Sequence, residues 1–206
     1  MASPDFLRFR ASMNIGYDEW RDGTGYDLEA LQRLAEDERE LAMKLLLARH
    51  AADWRDIEAL DCLGSPRALA EIEDALDSRD ITVRIHAAEA LVQRKLLGDA
   101  RIEAIILTAL QSTTILDGMV TVLRFAEAHP TDRVRQKLLW CARHGHDDVR
   151  VHAAALADFL YGHASSAFDA ASSPLYLRFG SQRPEERQAA LIDLCGGIGV
   201  DPASVA

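Results

Sequence analysis

Cysteine is scarce in this chain: Cys62, Cys141 and Cys195 are the whole complement in 206 residues. Three widely spaced thiols in apolar, helix-forming surroundings make neither a disulfide framework nor a zinc knuckle, and they suit a reducing cytosol. Free cysteine behaves as a small hydrophobe, so all three read as core thiols. Proline is scarce too, with six residues. No apolar run reaches the ~18 residues that a membrane span needs, and the opening stretch, Met1 to Arg8, lacks the long apolar segment of a secretory signal. A Gly-rich phosphate loop, a Gly-x-Ser-x-Gly elbow and a zinc signature are all missing, which argues against catalysis of those kinds. A basic tract is missing as well, and the formal charge is −10. Phosphate neutralisation dominates nucleic-acid affinity, so DNA and RNA are poor candidates for a partner.

What is present is acid, unevenly spread. Residues 1–80 hold 10 Lys/Arg against 19 Asp/Glu, whereas residues 81–206 hold 13 against 14. Such a field favours encounter with a basic protein, and it also serves plain solubility. At this length the chain can bury roughly 70% of its unfolded surface, enough for a core without staples.

Six residues recur almost unchanged 66 positions apart: Val83-Arg84-Ile85-His86-Ala87-Ala88 and Val149-Arg150-Val151-His152-Ala153-Ala154. Asp80 introduces the first, and Asp147-Asp148 the second. This spacing is twice 33, the length of a two-helix unit, so the chain is expected to stack helix pairs. The periodicity predicts a short helix through Leu28, Leu31 and Leu34 and a longer one through Leu41, Leu45 and Leu46, with acids in its first turn complementing the helix dipole. Unit one then pairs 53–63 with 66–76 across Gly64-Ser65, where Ser65 can cap and Pro66 can start a helix. Unit two pairs 81–97 with 99–110 across Gly98-Asp99. Unit three pairs 115–128 with 133–143, and unit four opens at Asp147 and runs to Leu160. A Gly/Ser/Ala-rich stretch, 162–173, interrupts the array. The following Pro174 to Gly180 is too apolar for a free linker and is expected to pack back on the helices. A last helix spans 184–194. Residues 1–26 read as an irregular cap with turns at Gly16, Asp22-Gly23 and Gly25, and a start at Met13 would leave 1–12 loosely ordered. Small residues at Ala87-Ala88 and Ala153-Ala154 let neighbouring helices approach closely, and each pair needs its neighbours to cover its apolar face.

The pattern of Asp, then Val-Arg-x-x-Ala-Ala, then Leu, a Gly turn and a second amphipathic helix resembles HEAT repeats, particularly the short kind seen in phycobilisome lyases. The match is close at 80–91 and 147–156, partial at 53–60 and 185–191, and faint at 113–124. The chain is also similar to small bacterial HEAT-repeat proteins that open with a Gly-Tyr-Asp-x-Trp segment, here Gly16 to Trp20, and end with a tail like Leu177 to Pro202. The resemblance implies an all-α fold: a right-handed α-solenoid of about four to five HEAT-like hairpins, armadillo-type in kind. The domains would be a cap at 1–26 and one solenoid at 27–206 with an insertion near 162–182. Helical-repeat proteins of this size occur among immunity proteins that neutralise bacterial toxins, an analogy only, because fold does not carry function.

In HEAT proteins, inter-repeat ladders occupy the positions of Asp80, Arg84, Asp147 and Arg150, and a charged fork between turn and helix sets register. His144, His146, Asp147, Asp148 and His152 fall within nine residues and include metal-ligand types. Yet His152 recurs as His86 without those companions, so the repeat explains it better than a metal does. HEAT-like deoxyhypusine hydroxylases hold iron with His-Glu pairs, and this chain has no His-Glu dipeptide. HEAT-like DNA glycosylases need a basic groove, which the charge opposes. Nothing separate points to a bilin. Cys62 beside Asp61 lacks the cationic setting of a reactive thiolate. Trp54 reads as a wedge between repeats, and Trp140 beside Lys137 as half-exposed; tryptophan is enriched at binding hot spots.

The expectation is therefore a cytoplasmic, non-catalytic interaction module without cofactor or metal. Its partner would be a protein, basic in the version that uses the acidic first half, and neither nucleic acid nor membrane. Glu71, Asp74, Glu103, Lys137 and Trp140 should project from second helices onto a concave wall. An immunity protein against a cationic toxin is the sharpest version. The alternatives are a general assembly scaffold and a metal-dependent enzyme using the 144–152 histidines.

Overall fold

A computed structural model describes residues 2–114 and 116–205. Among them the chain is helical throughout, with 13 α-helices, three short 3-10 turns and no strand beyond isolated bridges at Thr114. The all-α expectation agrees with this. The backbone groups into two compact units, Met1–Leu97 and Gly98–Ala206.

In Met1–Leu97 the order is α1 (Pro4–Ser12), α2 (Tyr17–Arg21), α3 (Leu28–Gln32), α4 (Glu36–Leu47), α5 (Trp54–Leu63), α6 (Pro66–Asp74), a 3-10 turn (Ala75–Asp77) and α7 (Ile81–Gln93). Residues 4–12 are therefore not a loose extension, and residues 17–21 are not irregular. The Ser3 hydroxyl caps α1, and Pro4 takes its first position with no N–H to leave unpaired. Phe6 and Phe9, three apart, bury one stripe of α1 against α3 and α4. Ser3 also donates its N–H and hydroxyl to the two carboxylate oxygens of Glu38, each at 2.6 Å.

The middle of this unit follows its capping residues. Asp53 caps α5 and exchanges bonds with Asp56, Gly64 closes α5 in the left-handed conformation at φ 62°, and Ser65-Pro66 opens α6. Asp80 accepts the N–H groups of Thr82 and Val83 to start α7. That helix stops at Gln93 rather than Leu97, because Lys95 turns left-handed at φ 59° and the Leu96 N–H returns to the Leu91 carbonyl. Helix α5 touches α4, α6 and α7, and α4 touches α6, so alternate helices are neighbours as well as consecutive ones. Ile57, Leu60, Ile72, Ile85 and Leu91 fill the core, while fully buried Ala59, Ala87 and Ala88 allow the close approach.

In Gly98–Ala206 the order is α8 (Asp99–Ser112), α9 (Met119–Ala128), α10 (Asp132–His144), α11 (Asp147–Leu160), α12 (Ser173–Leu177), a 3-10 turn (Arg178–Gly180), α13 (Pro184–Ile198) and a last 3-10 turn (Pro202–Ser204). The proposed start of a helix at Ile115 lies outside the described residues; Gly118, left-handed at φ 70°, sets the start of α9 instead. The alternation recurs: α8 meets α9 and α10, while α11 meets α9 and α10. Residues 174–180 do pack back, as their apolarity demands, with Tyr176 and Phe179 fully buried against α11.

Candidate functional site

The repeated hexapeptide puts its two arginines in unlike surroundings. Arg150 is buried and satisfied three ways: Nε donates to the Phe179 carbonyl at 3.0 Å, Nη1 to the Gly145 carbonyl at 3.3 Å, and Nη2 pairs with Asp147 at 2.8 Å. Asp147 also accepts from Gln182, and that bond, followed by the Arg150 charge, holds its carboxyl below the ordinary range. Arg84 makes one long bond to the Ser78 carbonyl at 3.5 Å, its Nε is buried without a hydrogen-bond partner, and Asp80 serves the α7 N-terminus instead. The Asp80–Arg84 rung anticipated from sequence is thus a cap and a separate carbonyl clasp.

Sequence reasoning missed two of the ties. Arg187 donates to the Ser181 carbonyl at 2.8 Å, six residues back as Arg84 does to Ser78. Arg94 at the end of α7 grips Asp61 of α5, with Nε at 2.5 Å from the carboxylate and Nη2 at 2.6 Å from the carbonyl. The 33-residue separation of Asp61 and Arg94 is one repeat period and was the available signal.

The five expected contact residues fall into separate recesses. In Met1–Leu97, Glu71 and Asp74 line a hollow of about 310 Å³ with Asp77, His50, Ala51 and Ser78, formed where the end of α4 meets α6. The His50 ring stands 3.9 Å from Glu71. In Gly98–Ala206, Lys137 and Trp140 line a groove of about 410 Å³ whose walls are α8 (Leu107, Thr108, Gln111) and α10. The Lys137 ammonium sits 3.5 Å from the centre of the Trp140 ring, and His144 lies 5.2 Å from that ring on the next turn. Glu103 lines a third hollow, of about 220 Å³, with its carboxylate already engaged: it accepts from the Thr131 hydroxyl and from Arg133, both at 2.6 Å. Those bonds, the hydroxyl first, keep its carboxyl below the usual range.

The histidines disperse. His144 packs on Trp140, His152 stands 5.6 Å from Phe168, and Asp147 is taken up by Arg150 and Gln182. Among the described residues no group of three or more His, Cys, Asp or Glu side chains is arranged to hold a metal. Burial, then the neighbouring Arg143 and Lys137 charges, lowers the His144 pKa. Trp54 stacks on His86 at 5.2 Å with the Arg55 guanidinium 4.5 Å over its ring, joining α5 to α7. Burial raises all three thiols, Cys141 to about 11.

One arrangement left no trace in the motifs. Each unit buries an aspartate completely on one helix and gives it a tyrosine hydroxyl and a side-chain nitrogen. Asp56 accepts from the Tyr26 hydroxyl at 2.9 Å and from Arg49 at 2.7 Å, and Asp158 accepts from the Tyr176 hydroxyl at 2.6 Å with His163 Nδ1 at 2.8 Å. Burial first, then the aspartate, pushes the Tyr176 hydroxyl up to about 12, and Tyr26 moves the same way.

No protein-family model matches the chain, and no match is found among curated proteins or among solved structures. No helix among the described residues is long and apolar enough to cross a membrane.

Proposed function

We propose that this chain is a HEAT-like, right-handed α-solenoid of four to five hairpins that works in the cytoplasm as a non-catalytic binding module for a protein. Support for the solenoid comes from the neighbouring of alternate helices inside each unit, together with the arginine clasp that recurs at Arg84, Arg150 and Arg187. One observation carries the binding reading. A recess in each unit opens on the second helices of the hairpins, α6 in one and α8 with α10 in the other, where a stacked array offers its broad wall. The Glu71, Asp74 and Asp77 carboxylates suit basic residues of the partner, and an immunity protein that neutralises a cationic bacterial toxin is the most specific form of this role.

A photo-crosslinking amino acid placed at Asp74, at Gln136 or at Glu127 in the intact protein tests the reading in native cells. The second-helix positions should trap the same protein, Glu127 on α9 should not, and Glu71→Lys with Asp74→Lys should cut capture at least about tenfold. Crosslinks only from Glu127, or capture indifferent to the charge reversal, would reject it. Growth of cells expressing the trapped protein separates the two roles: rescue by this chain marks immunity, and binding without rescue marks an assembly scaffold.

A further inference from the structure

In a chain with a charge of −10, one helix is markedly basic. Helix α10 carries Arg133, Arg135, Lys137 and Arg143 against Asp132 alone. Arg135 turns to Asp132 and Arg143 bonds the Val205 carbonyl, which pins the last turn as one end of the α8/α10 groove. Arg133 and Lys137, one helical turn apart, are left on the groove itself. Lys137 has no carboxylate partner among the described residues; its ammonium is propped against the Trp140 ring, which leaves N–H donors for an incoming acceptor. Arg133 spends one nitrogen on Glu103, and its side chain is 71% exposed. The rim between them is neutral and polar: Thr108, Gln111 and Gln136.

We propose that the α8/α10 groove receives an acidic peptide segment of a partner protein, with Lys137 and Arg133 holding two of its carboxylates. The fit is geometric as well as electrostatic. Successive turns of a helix are about 5.4 Å apart, and alternate side chains of an extended peptide about 6.8 Å, so one face of a strand reaches both cations. The Trp140 ring gives the aliphatic part of the intervening residues an apolar floor. This inference rests on the binding role above and adds the chemistry of one of its recesses.

The test is titration of the whole protein with a fluorescein-labelled decapeptide of alternating Glu and Ala, read by anisotropy, against a Lys/Ala counterpart. A Trp20→Phe, Trp54→Phe background makes Trp140 emission a second signal. The acidic peptide should bind saturably, weaken with salt and shift Trp140 emission as Lys137 leaves the ring. Lys137→Gln should weaken it about fivefold and Lys137→Glu about tenfold or more, while Lys137→Arg and the surface control Arg67→Glu should bind as wild type does. Far-UV circular dichroism confirms that each variant is folded. No saturable binding to wild type, equal binding to Lys137→Glu and Arg67→Glu, or equally tight binding of the lysine peptide would overturn the proposal. Crosslinked capture at Asp74 without peptide binding would remove this inference alone. Peptide binding lost on Lys137→Glu, with no partner trapped from any second helix, would remove the broader role and leave the groove.

Discussion

Arg150 and Arg84 stand at the same place in a repeated hexapeptide, and their contacts decide how differently they count. Arg150 joins two carbonyls and a carboxylate across 29 residues of chain, down to Phe179. Removing it leaves buried acceptors unmet, so Arg150→Ala should lower unfolding stability by about 2–3 kcal/mol, read from urea midpoints. Arg84→Ala, which loses one 3.5 Å bond, should cost below about 1 kcal/mol. Tyr176 offers a test in pH. Its hydroxyl titrates near 12 in the fold against 10 in the unfolded chain, so the folded state keeps a proton that the unfolded state gives up. That contribution to stability is whole below pH 10 and drains away as pH rises towards 12. Alkaline unfolding should therefore steepen above pH 10, and Tyr176→Phe should blunt the dependence; a variant with the wild-type slope would remove the buried Tyr176 hydroxyl as its source. The motif revealed both arginines but not their inequality, because Phe179 arrives from a segment 29 residues beyond Arg150 and outside the hexapeptide.

At the scale of helices, the small-residue pairs and the caps were legible and can be tested directly. Ala88 and Ala154 are fully buried where neighbouring helices meet. Ala154→Leu forces four heavy side-chain atoms where one fits, and a loss of about 1–3 kcal/mol is expected in thermal or chemical melts. Ser65→Ala removes the hydroxyl that accepts the Ala68 N–H at 3.2 Å and should cost about 1 kcal/mol. Helices α3 to α11 and α13 follow from 3.6-residue periodicity with punctuation at Gly64-Ser65, Gly98 and Pro130. Boundaries slipped where the stop was geometric rather than compositional, as at left-handed Lys95. Short α2 and α12 carry too few turns for periodicity to register, and α1 was underrated because only two phenylalanines mark its buried side. The site was half legible. Lys137 and Trp140 share a groove as their one-turn spacing suggests, whereas Glu103 is captured by Thr131 and Arg133 from a loop and helix about 30 residues on.

For the whole molecule, the division at Leu97 and Gly98 bears on how it comes apart. Each unit has its own buried residues, so equilibrium unfolding need not be all-or-none. Trp54 reports on Met1–Leu97 and Trp140 on Gly98–Ala206. Variants retaining one tryptophan each should give different midpoints, and Ala154→Leu should lower the Trp140 midpoint more than the Trp54 one; coincident shifts would mean a single cooperative block. The two interred aspartates set the halves apart in another way. Asp56 is met by the forked guanidinium of Arg49, and Asp158 by a single ring nitrogen of His163. Two versions of one fastening thus differ in their reserve: the fork beside Asp56 has further N–H groups with which to regrip after a small shift, and the ring beside Asp158 meets it through one nitrogen and must hold its place.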